Sequence, residues 1–206
     1  MLGEGKLSKE DTDRLGRLLR TADRLLLPVE NALNLTAGLL IFGLMFLGMV
    51  QIVLRTLFRS PIFGYIDIVE FTMVAFALFS ISYVQRLGGH VRMEIVVARL
   101  KGRVLWIAET IGVAVAICLV AVLIPYSYSH FFRSWSFGDS TIDIELPTWP
   151  GKLVVPIALS ILLARLIIQL FGYWRLVRDP KAEPIGVPVL KSVEEQAEEE
   201  IEGAKT

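Results

Sequence analysis

The sequence has one cysteine, two histidines and no net charge, with 21 Lys and Arg set against 21 Asp and Glu over 206 residues. A single cysteine, Cys118, excludes an intramolecular disulfide and a cysteine-built metal centre. Its place inside an apolar block reads as a small apolar residue. His90 and His130 both fall outside the apolar blocks. A haem held between histidines of facing membrane helices would therefore have no ligands here. Zero net charge gives no basic field for nucleic acid, which is not an expected partner. Metal-ligand spacings, phosphate loops and serine or cysteine triad signatures are missing as well. The residues argue for no enzyme, no metal and no organic cofactor. No small-residue cleavage site follows the first apolar block, so that block is expected to remain as a span.

What is present is hydrophobic residue, 54% of the chain, gathered in long blocks. Such blocks mark membrane spans. Spans are expected at about 32–54, 66–85, 104–125 and 153–174. Backbone polar groups in lipid must be satisfied within the segment, so each block is expected to be a helix. Tyr65, Trp106, Trp149 and Trp174 stand at the block edges, where interfacial aromatics belong. The fold class is an all-α membrane protein with four transmembrane helices. An amphipathic helix in residues 1–30 is expected to lie in the interface, with Pro28 at the bend into the transmembrane domain of residues 31–175. Residues 126–152 read as a long aromatic outer connection before the last span. Residues 176–206, rich in proline and then glutamate, read as a flexible acidic tail.

Orientation follows from Lys and Arg in the connections. The N-terminal segment has six, the first connection two, the second five, the third two and the tail five. That alternation places both termini and the second connection in the cytoplasm.

Ionisable residues in or near spans carry a functional expectation because they are costly there. Arg165 lies in the fourth block and Glu109 in the third, close enough in depth to pair. The alternatives are a contact with a partner subunit, or Arg165 snorkelling to the interface. Gln51 and Arg55 close the first block, and Asp67 and Glu70 open the second. Asp67 and Glu70 share a helix face near an N-terminus, where the dipole favours acids. An Arg55 pair with one of them would fasten the outer hairpin; independent headgroup contacts are the alternative. A proton or sodium site is disfavoured there, since a coupling site should lie deeper. Ala108, Gly112 and Ala116 form a small-residue stripe suited to close helix packing. The halves of the chain show no repeat of the kind that lone transporters often carry.

Three motifs then stand in order. The first block ends Gln51-Ile52-Val53-Leu54-Arg55. The second ends Tyr83-Val84-Gln85-Arg86-Leu87-Gly88-Gly89-His90-Val91-Arg92-Met93-Glu94. Ile144-Glu145-Leu146-Pro147-Thr148-Trp149-Pro150 precedes the fourth. Over roughly residues 30 to 175 the chain resembles the small membrane subunit, DctQ type, of tripartite ATP-independent periplasmic (TRAP) transporters. Glu94 stands where aspartate is also common in that family. The resemblance implies a non-catalytic subunit in a bacterial inner membrane, partnered by a large transmembrane permease subunit and a periplasmic substrate-binding protein. It implies a scaffold for sodium-coupled uptake of an organic acid, with membrane phospholipid filling the seam between subunits. Gly88 and Gly89 would then turn the chain sharply. His90 and Arg92 would reach lipid phosphate, the large subunit or the chain's own helix ends. Two other readings stay open: a stand-alone small transporter or channel, and a membrane anchor for a redox complex.

Overall fold

The computed structural model describes residues 4–88, 103–178 and 185–188. Among the described residues five helices follow in order: α1 (Glu4–Leu57), α2 (Tyr65–Phe79), α3 (Ile81–Leu87), α4 (Arg103–Phe137) and α5 (Trp149–Arg178). Among the described residues four helical stretches are long and apolar enough to cross a membrane: Gly16–Leu57, Tyr65–Leu87, Val104–Phe137 and Trp149–Arg178. The protein is an all-α membrane protein, as its apolar blocks dictate. The second span comprises α2 and α3, separated at Ser80. The Ser80 hydroxyl bonds back to the Phe76 carbonyl (3.3 Å), a local competition that disturbs regular helix.

The helices overrun the apolar blocks. α1 has 54 residues, about 80 Å of helix, against a hydrocarbon layer of roughly 30 Å. It continues through Pro28. A proline inside a helix removes one backbone bond and crowds the preceding turn. The side chains on both flanks of Pro28 are tied to α5, which holds the segment helical regardless. α4 likewise runs through Pro125 to Phe137. Phe131, Phe132, Trp135 and Phe137 therefore sit on a helix, and the connection to α5 shrinks from the expected 126–152 to 138–148.

α5 is the hub. It packs against α1, α2, α3 and α4. Its buried positions include Ala158, Leu162, Arg165, Gln169, Gly172 and Leu176, three or four residues apart along one broad face. Val113 and Val120 of α4 join Leu162, Leu166, Tyr173 and Leu176 in the main cluster, with Trp106 against Tyr173. A second cluster joins Leu19 of α1 to Ile168 and Ile185. Elsewhere α1 and α4 present bare apolar faces, among them Leu39, Phe42, Phe46 and Met49 on α1, and Val115 and Leu119 on α4.

Candidate functional site

The polar side chains that the bundle buries gather at two levels, one toward each end. At the N-terminal end, Arg165 of α5 is 2% exposed and Glu30 of α1 is fully buried. Arg165 Nη1 donates to Asp23 Oδ1. Its Nε stands 3.9 Å from Glu30 Oε1. Glu30 also accepts from the Ser82 hydroxyl (2.8 Å) and faces Arg86 Nη1 at 3.5 Å. Arg86 donates from Nη2 to Asn31 Oδ1 (3.0 Å) and lies over the Tyr83 ring. Two acids and two arginines thus balance in charge across α1, α3 and α5. One turn along α5, fully buried Gln169 accepts from Gln85 Nε2 (2.7 Å) and donates back to the Gln85 carbonyl (3.1 Å).

Such an arrangement holds helices together because each member would be costly alone. A charge removed from water costs several kcal/mol unless paired, so breaking one partner away is penalised by about 3–5 kcal/mol. Pairing of this kind fixes which residue of α1 stands beside which residue of α5.

Arg165 is therefore met by Asp23 and Glu30, not by Glu109 as expected. Glu109 is half-buried on α4 and makes an interaction of its own. Its side chain leaves from the helix next to α5, whereas α1 lays two carboxylates directly along the Arg165 face. Leu19, Asp23, Leu26 and Glu30 recur at steps of three or four, so one face of α1 carries both acids within its buried stripe. That spacing was visible in the sequence and was the signal for Asp23 and Glu30.

At the connector end, the expected Arg55 pair with Asp67 or Glu70 gives way to different contacts. Asp67 is buried, and its Oδ2 accepts from the Ile144 amide (3.0 Å). It fastens the 138–148 connection instead of the first hairpin. Gln51 fastens the hairpin, its Oε1 accepting from the Ile62 amide (2.7 Å). Arg55 is exposed and lines a cleft of about 590 Å³ with Gly64, Tyr65 and Asp143. Glu70 is exposed. Gly64, with φ of +73°, lies under Ile144; a Cβ there would come within 2.4 Å of Ile144 Cγ2.

The connection is itself cross-linked. Thr141 N donates to the Leu146 carbonyl (2.9 Å), and Thr148 N to the Asp139 carbonyl (2.9 Å). Ser134, 1% exposed, shares a hydrogen bond with the Thr148 hydroxyl (2.9 Å) and accepts from Lys152 Nζ (3.0 Å). Lys152 also pairs with Asp139 at 2.9 Å. Its ammonium, followed by the Ser134 hydroxyl, holds the Asp139 carboxyl below its ordinary range. Trp149 packs edge-on against Trp135 with ring centres 4.6 Å apart.

Of the second motif, Gly88 caps α3 in the left-handed conformation (φ 72°). Gly89, His90 and Arg92 lie outside the described residues, as does the acidic tail. Among the described residues no cluster of His, Cys, Asp and Glu could hold a metal ion.

The chain thus has four spans, a polar tie between them at each end, and a second motif whose Tyr83, Gln85 and Arg86 all enter the buried network. No curated protein matches the sequence. The family model of the DctQ component of tripartite ATP-independent periplasmic transporters matches residues 44–176, well over half of the chain. The chain belongs to that family and is a small membrane component of a TRAP transporter, not an enzyme.

Proposed function

We propose that this subunit is the stationary wall of a sodium-coupled organic-acid importer. Its bare apolar sides take the large permease subunit and lipid. Its connector end helps to dock the substrate-binding protein. The membrane is a bacterial inner membrane with both termini on its cytoplasmic side, an orientation that the Lys and Arg alternation supports.

One observation carries the reading: Arg165 is clamped between Asp23 and Glu30 while the opposite end of the bundle is latched by Asp67 on Ile144. Ties at both ends oppose the relative helix movement that alternating access needs. The same ties suit a surface against which another subunit moves. The apolar faces of α1 and α4 give that subunit a place to sit.

The test is reconstitution. Liposomes containing the large subunit, this chain and the binding protein should take up a carboxylate in response to an inward sodium gradient. Liposomes with this chain alone should take up none, and affinity capture of the chain from its membrane should bring down the large subunit. Uptake by the chain alone would establish a self-sufficient transporter. Recovery as a lone monomer, with a haem absorption band, would establish a redox anchor.

A further inference from the structure

Five buried side-chain nitrogen or oxygen atoms lack a hydrogen-bond partner among the described residues. Three of them, Glu30 Oε2, Arg86 Nη1 and Arg165 Nε, belong to the ion pairs described above. The other two are Nε and Nη1 of Arg175. Buried guanidinium donors without an acceptor are costly, and they point to a ligand.

Arg175 lines a cavity of about 400 Å³ together with Gly16, Arg17, Arg20 and Ile185. Three arginines line it, and among the described residues no carboxylate does. Arg20 makes an interaction of its own and adds a neighbouring positive charge. Gly16 makes the close approach possible: a Cβ at that position would come 3.2 Å from Arg175 Nη1.

The surroundings place the cavity at membrane-surface depth. Trp174, the preceding residue, is half exposed, with Arg178 over its ring at 5.5 Å. An exposed tryptophan beside arginines at the end of a span belongs at the headgroup level. Leu18 and Leu25, each 69% exposed, lie on the outward face of the same stretch of α1, away from the cavity, and give that stretch an apolar outer surface suited to the membrane interface. A ligand there must bring an anionic group to the guanidinium donors, and at headgroup depth the anion at hand is a lipid phosphate. A fork of paired N–H donors suits phosphate oxygens in particular.

We propose that the cavity between the N-terminal part of α1 and the C-terminal part of α5 binds the phosphate of an anionic phospholipid, with Arg175 as the central donor and Arg17 and Arg20 as flanking charges. The site lies within this one chain and does not depend on the scaffold reading.

Native mass spectrometry of the purified full-length chain, titrated with phosphatidylglycerol or phosphatidylcholine, tests it. Phosphatidylglycerol should bind more tightly. Arg17→Gln removes an exposed side chain without threatening the fold and should weaken that binding about fivefold, the contribution of one basic residue near a membrane surface. Adding Arg175→Gln should weaken it further, while Arg133→Gln at the other end should leave it unchanged. Excess inorganic phosphate should not displace the lipid. Equal binding of the two lipids, or unaltered phosphatidylglycerol binding by Arg17→Gln, would overturn the site. Full displacement by inorganic phosphate would overturn the lipid assignment in favour of a free-anion site.

Discussion

Arg165 of α5 donates to Asp23 of α1 and turns its Nε toward Glu30, seven residues farther along the same helix. The two carboxylates differ in surroundings. Asp23 keeps 26% of its side chain exposed, and Glu30 keeps none. Arg165→Met should therefore cost about 3–5 kcal/mol, because it leaves Glu30 buried with one arginine fewer. Asp23→Asn should cost only about 1 kcal/mol, since the amide oxygen still accepts and solvent reaches the site. Melting of the purified protein, followed by tryptophan fluorescence, would rank the two. Equal losses would show that Glu30 does not depend on Arg165.

Gln85 and Gln169 give a sharper test of the same layer. Gln169→Leu strands the Gln85 amide and should cost about 1–3 kcal/mol. Replacing both by leucine removes both polar groups and should recover most of that loss. A double variant as unstable as the sum of the singles would mean that the two residues stabilise separately and not as a pair.

How far the sequence reveals this layer depends on which physical signal each residue leaves. Long apolar runs read directly as spans, because hydrocarbon solvent demands about 20 consecutive apolar residues. Arg165 reads as important because a charge inside such a run is expensive. Its partners are harder to read, since Asp23 lies 142 residues away and looks like an ordinary surface acid of an amphipathic segment. Asp67 was legible as a tie, but the partner was not. A backbone amide such as that of Ile144 carries no sequence signature, whereas Arg55 is a visible charge. Pro28 and Pro125 mislead for a related reason: a proline weakens a helix locally, but packing on both sides decides whether the helix ends.

The connector end makes its own prediction through Gly64. An L side chain at φ +73° costs about 1–2 kcal/mol, and Gly64→Ala also drives its methyl into Ile144. The variant should loosen the 138–148 connection and speed its cleavage by protease. Ile144→Ala in the same background should relieve the collision but leave the backbone cost, so the rescue should be partial. Complete rescue would mean that the backbone at residue 64 adjusts freely.

Asp139 makes that connection sensitive to acid. The Lys152 ammonium, then the Ser134 hydroxyl, hold its carboxyl below the ordinary value of 3.8. A lowered carboxylate binds its proton less readily in the folded form than in the unfolded chain. Its stabilising effect is complete above the ordinary value and is lost as pH falls through the lower folded value. Below that point the carboxyl is neutral, the pair with Lys152 ends, and Lys152 keeps only the Ser134 hydroxyl. The Trp135–Trp149 contact, which sits beside this pair in sequence and space, is a natural reporter. Its fluorescence should change in one step as pH is lowered through the acid range, and protease should cut the connection faster on the acid side. In Asp139→Asn the step should vanish, with the connection already loosened at neutral pH. A step of the same size in Asp139→Asn would assign the acid sensitivity to another carboxylate, with Asp67 on the Ile144 amide the next to replace.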